Sequence, residues 1–248
     1  MTLATFEPGG YRYIPGLFQY SSGVAALPGF EIMRVRFKTP PPLAEGFAWA
    51  ERIMAEAGRA PTAFCACELR SPAPFTDQGF RTFNEAYVVK LKEWGIYDGR
   101  RNPVARSNVC PEINPPAEPV FHAFSFTLPT ESASPSFVIA GSGEAREGPG
   151  RYSERTIRNG DTSAEAMAEK AAFVHDVMEF RMKLFDLAWG DTTTTQIYTV
   201  HDIHPFFGED IVRRGAAQAG VTWHFCRPPV AGLDYEMDCR AVATERVV

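Results

Sequence analysis

Three residue types in this chain are suited to chemistry: an arginine, a glutamate set between two aspartates, and an asparagine within a helical pattern. Arg106 stands in the run Pro103-Val104-Ala105-Arg106-Ser107. A guanidinium offers a planar fork of donors, keeps its charge, and grips a carboxylate through two parallel bonds. The same residue at a strand edge could equally do no more than end strand pairing. Glu236 alternates with Asp234 and Asp238, so all three carboxylates would share one face of a strand. That face is either solvated, or Glu236 orders or activates a water molecule. Asn84 carries an amide with donors and an acceptor, able to hold a loop or a water, or simply to face solvent.

Other chemistries find little support. His201-x-x-His204 has only Asp202 beside it, and a zinc site needs three or four ligands in fixed geometry, so no metal is expected. Gly141-x-Gly143 lacks the third glycine and the Lys-Ser/Thr of a phosphate loop. No serine-centred nucleophile elbow occurs. Arg100, Arg101 and Arg106 form a small basic cluster that could attract anions, but without interleaved aromatics it does not resemble a surface for RNA. The five cysteines include no C-x-x-C pair; Cys65 and Cys67 alternate on a strand pattern and are expected to share a face. Buried free thiols are the expectation throughout.

The elements that must position these residues come in a pattern that recurs. Residues 43–58 read as an amphipathic helix, with Leu43, Phe47, Ala50 and Met54 in one stripe, prolines before it and Gly58 closing it. A short apolar run (63–69), a second helix closing at Trp94-Gly95, a Pro-rich exit and a last apolar run (120–126) follow. The order then repeats: a helix with a capping-box start at Thr162–Glu165, a stripe of Phe173, Val177, Phe180, Leu184 and Leu187, and a stop at Trp189-Gly190. Runs 195–200 and 223–226, a helix ending at Ala219-Gly220, and a run over 235–242 complete it. The stop glycines recur about 130 residues on, too long a period for a solenoid and suited to a duplicated domain.

Each unit reads ββ-α-β-α-ββ, an α+β domain with two helices on one face of a mixed sheet. The linker falls near residues 128–135, giving domains 1–130 and 131–248. An apolar content of 45% can build two cores. The net charge of −5 offers no general footprint for nucleic acid. No apolar run reaches membrane-spanning length and no signal peptide is apparent, so a soluble, cytoplasmic protein is expected.

Asn84-Glu85-Ala86-Tyr87, followed by Pro103–Ser107, resembles the signature of the RidA (YjgF-like) family, formerly labelled endoribonuclease L-PSP. The strand Phe137-Val138-Ile139-Ala140-Gly141-Ser142-Gly143 is similar to that family's strand-plus-glycine element, and the segment around Glu236 to its final strand. The resemblance implies two chorismate-mutase-like units, a homotrimer with clefts between subunits, and cofactor-free hydrolysis of small imino or enamine acids, 2-aminomuconate-type acids included. It implies Arg106 and Glu236 as catalytic residues, with Arg106, Asn84, Ser107 and Gly141 binding a small carboxylate. Asn108 stands where the family has a cysteine, and the second unit has Val221–His224 where an arginine would be needed. A degenerate, non-catalytic carboxylate-binding protein is the alternative; ribonuclease activity is disfavoured by the acidic charge.

Overall fold

In the computed structural model, which describes residues 2–148 and 150–248, the chain builds two mixed sheets with few helices, an α+β fold. In chain order the strands are β1 (Ala4–Phe6), β2 (Tyr11–Ile14), β3 (Gly23–Ala26), β4 (Phe30–Arg36), β5 (Phe64–Arg70), β6 (Ala105–Pro111) and β7 (Val120–Pro129). They continue with β8 (Phe137–Gly143), β9 (Thr194–Tyr198), β10 (Val221–His224), β11 (Cys226–Arg227), β12 (Glu236–Ala241) and β13 (Thr244–Val247). The helices are α1 (Leu43–Glu56), α2 (Asp77–Glu93), α3 (Tyr152–Arg155), α4 (Ala164–Lys183) and α5 (His204–Phe206).

One sheet runs β11-β6-β5-β7-β4-β13, the other β1-β2-β3-β8-β12-β9-β10. Within them β6-β5-β7-β4 and β10-β9-β12-β8 follow the same order, each with one parallel pair, β5 with β6 and β9 with β10. Strands also cross between the two halves of the chain: β3 pairs with β8, β11 with β6, and β13 with β4.

The helices explain the layering. Phe47, Ala50 and Met54 of α1 are buried against Phe64, Phe121 and Phe124 of the six-stranded sheet, with α2 beside them. Gly58 and Gly95, both at positive φ, end these helices where an L side chain would be strained. Under the seven-stranded sheet the buried face of α4 is Met167, Ala171, Val174, Met178 and Met182. The expected stripe is therefore wrong in phase: Phe180 is 50% exposed. The helix also ends at Lys183, with Asp186 at φ 63 making the turn, and not at Gly190. Where a second long helix was expected, α5 leads into a π-helical turn, Phe207–Val212; Phe206 and Ile211 still reach the core.

The faces turned away from the helices meet each other. Glu236, Asp238 and Arg240 alternate on β12 and are all buried, so the solvated-face reading of these carboxylates does not hold. Arg34 grips Glu68 through two bonds of 2.6 and 2.9 Å and pairs with Glu245 at 2.7 Å. Arg240, from the other sheet, lies 3.7 Å from Glu68. Burial works to raise the Glu68 carboxyl, but Arg34 and Arg240 outweigh it and hold it well below the carboxylate range. The cysteines are all free and buried. Cys65 and Cys67 nonetheless join different core clusters, because the β5–β7 register shifts between Phe64 and Ala66 and puts the alternation out of phase.

Candidate active site

The two sheets meet where β6 passes β8. Residues 21 and 22 stitch them: Ser21 N–H donates to the Val104 carbonyl at 2.8 Å, and Ala140 N–H to the Ser22 carbonyl at 3.2 Å. A small cavity of about 80 Å³, open on one side to solvent, lies at this junction. Arg106 and Asn108 enter it from β6, Gly141 from β8 and Glu236 from β12. Arg155 and Arg181 add two more cations from α3 and α4. The RidA resemblance implied a groove between subunits; here Arg106 and Glu236 meet inside one chain.

Arg106 is 2% exposed and sits in a box of aromatic rings. Its guanidinium carbon lies 4.7 Å from the centre of Tyr87, 5.0 Å from Tyr20, 5.6 Å from Phe83 and 5.8 Å from Phe80. Three of these rings come from α2 at i, i+3 and i+7, one face of a helix. Aromatic faces attract the cation without using its N–H groups. Accordingly Nη1 and Nη2 are buried and have no hydrogen-bond partner among the described residues. A buried cation with two idle donors is costly unless an anion arrives.

Glu236 is fixed from its neighbours. Glu144, just past β8, accepts the backbone N–H groups of Asp234 and Tyr235 at 2.6 and 3.1 Å, with Lys170 at 3.5 Å beside it. This pins the start of β12 to the end of β8. Glu236 Oε1 then fills the space beside Gly141, 2.2 Å from where a Cβ would stand. Burial, followed by repulsion from Asp238 and Glu144, pushes the Glu236 carboxyl well above its ordinary range, with Arg106 opposing only in part. Replacing Gly141 with alanine will therefore leave the backbone unstrained but evict the carboxyl. Turnover is expected to fall at least about tenfold, with a stability loss of about 1–3 kcal/mol, read from kcat and a thermal melt. An unchanged kcat would remove Gly141 from the site.

Two expected site residues lie elsewhere. Asn84 is buried one helical turn from Phe80, donating to its carbonyl at 2.7 Å, and does not line the cavity. Ser107 points the opposite way from Arg106, into the space between the sheets, where its Oγ donates to Asp238. Asn108 does line the cavity, with Oδ1 accepting from Ser71 at 3.0 Å and Nδ2 left without a partner. Sequence reasoning missed the aromatic box, although Phe80, Phe83 and Tyr87 share a helical face. It also missed Arg181, a charge inside the apolar face of α4. Among the described residues no three His, Cys, Asp or Glu side chains gather as a metal site, and no helix is long and apolar enough to cross a membrane.

A family model described as 2-aminomuconate deaminase CnbZ matches residues 3–246. The chain belongs to this family. It is 53% identical over 245 residues to the 2-amino-5-chloromuconate deaminase of Comamonas testosteroni, covering 98% of each protein. This overturns the RidA resemblance, which rested on short motifs such as residues 84–87 and 103–107 and is outweighed by likeness along the whole chain. A chorismatase crystal structure is also similar, with a TM-score of 0.44 and 12% identity over 92% of this chain and 79% of that one.

Proposed function

We propose that the protein deaminates a 2-aminomuconate-type acid by hydrolysis, Arg106 holding the carboxylate beside the amine-bearing carbon and Glu236 moving the protons. The observation that carries this reading is a buried guanidinium with two idle donors facing the same cavity as a buried glutamate whose carboxyl burial pushes upward. An enamine is unreactive to water until a carbon of its conjugated chain takes a proton. Glu236 gives that proton, and the C–N bond becomes an electrophilic C=N. Water then adds at that carbon, losing a proton to the Glu236 carboxylate, while Arg106 keeps the carbon in place. The acid then returns its proton to nitrogen; the C–N bond breaks as C=O forms, the hydroxyl gives its proton back to the Glu236 carboxylate, and ammonia leaves with the acid restored. Substrate and water balance product and ammonia, so the scheme calls on no redox partner or cofactor. Asn108 Nδ2 is free to steady the oxygen that forms.

Purified protein given enzymatically generated 2-aminomuconate is expected to bleach its conjugated absorbance and release one ammonia per molecule. A melting shift with the acid but no ammonia would leave a carboxylate-binding protein and end the hydrolase assignment.

The shared order of β6-β5-β7-β4 and β10-β9-β12-β8 supports a duplication with halves 1–130 and 131–248 that have traded edge strands. On that reading the first half supplies the cation and the second the acid. β10, in the place of β6, carries no arginine.

A further inference from the structure

We infer that Arg155 is the specificity-determining residue of this cavity: it receives the far carboxylate of a dicarboxylic substrate, so that diacids are selected over monoacids. The inference rests on the proposed deaminase reading and goes further, since neither the chemistry nor Arg106 requires a second carboxylate to be held.

Three arginines line the cavity, and their states differ. Arg181 is occupied, donating to the Ala140 carbonyl at 3.1 Å and to Glu147 at 3.2 Å. Arg106 has two idle donors, assigned above to the near carboxylate. Arg155 has one edge tied and one free. Its Nη1 donates to the Arg146 carbonyl, while Nε is buried without a partner. Its guanidinium carbon rests 4.6 Å from the centre of the Tyr152 ring. Aromatic support and a single backbone tie fix the plane of the group and leave donors for a ligand.

The charges around the cavity say the same. Glu147 pairs with Arg181 at 3.2 Å. Arg106 and Arg155 close no ion pair among the described residues and keep buried donors without a partner, which suits a dianion. The position of Arg155 is built, not incidental. Ala145 bridges to Thr156, and Arg146 N–H donates to the Arg155 carbonyl at 3.1 Å. The Tyr152 ring packs edge-on to Phe80, and Tyr152 N–H reaches Asp77 at 3.3 Å. Arg155 is thus anchored to α2, the helix that also boxes Arg106.

The test uses two inert acids of equal length, muconate and sorbate (hexa-2,4-dienoate), which differ by one carboxylate. Calorimetric binding to the wild-type protein is expected to favour muconate by roughly 10–100-fold. Arg155→Gln should lower muconate affinity to near that of sorbate while sorbate affinity moves little. A wild-type protein that does not discriminate, or an Arg155→Gln variant that still does, overturns the assignment. Loss of discrimination in Arg181→Gln alone would give the subsite to that residue instead. These acids do not react, so the result stands apart from the ammonia assay: failure there removes the deaminase, and failure here removes the second carboxylate contact.

Discussion

Arg106→Ala will lower kcat/KM for a 2-aminomuconate-type substrate about a thousandfold, equivalent to ~4 kcal/mol. The size follows from burial. In water a guanidinium–carboxylate pair is worth little, but this one would form with both partners desolvated and with no competing protein anion on Arg106. Lysine should recover only part of the loss, because one ammonium replaces two parallel donors and cannot fill the box of Tyr20, Phe80, Phe83 and Tyr87. The protein itself should tolerate the change. Arg106 closes no ion pair in the free enzyme, so Arg106→Met, which keeps the bulk and removes two idle buried donors, should melt no lower than wild type. Steady-state kinetics with a parallel melt separates the two effects. Activity within tenfold of wild type in the alanine variant would show that the carboxylate is held elsewhere.

The sequence made parts of this site legible and hid others for identifiable reasons. α1 could be read from its stripe, and the ends of both α1 and α2 from their stop glycines, since Gly58 and Gly95 stand at positive φ. Arg106, Glu236 and Gly141 could be picked out because their neighbours formed recognisable short motifs, although those motifs pointed to the wrong family. α4 was misread because it carries large apolar residues on two faces, and only packing decides that Met178 is buried and Phe180 is not. Ser107 was misassigned because it neighbours Arg106 on a strand, where successive side chains face opposite ways. Arg155 and the strand pairings between distant parts of the chain were beyond reach. The pairing of β3 with β8, or β13 with β4, depends on contacts between residues more than a hundred positions apart. Trp94 and Trp189 are buried, whereas Trp49 and Trp223 are 42% and 37% exposed.

Glu236→Gln should abolish turnover and stabilise the protein, a combination that a purely structural glutamate would not give. The activity loss, about 10²–10⁴-fold, is that expected for removing a positioned acid–base group. The stability gain follows from proton linkage. Burial, with Asp238 and Glu144 nearby, raises the folded pKa above the unfolded value of about 4.3. Below the unfolded pKa both states carry the proton and Glu236 contributes nothing to pH dependence. As pH rises, the unfolded chain ionises first, and stability falls by ~1.4 kcal/mol per pH unit until the folded pKa is reached. Glutamine never ionises, so the variant escapes this loss. Its melting temperature should exceed that of wild type at pH 8, with the gap closing toward pH 4. Asp238 is shifted in the same sense but is present in both proteins, so it largely cancels in the difference. The same proton limits catalysis: wild-type kcat/KM should decline as pH climbs through the raised pKa of Glu236, and any residual activity of the variant should lack that decline. A gap that persists unchanged into acid, or a variant retaining more than a tenth of wild-type turnover, would mean that this carboxyl does not carry the reaction's proton.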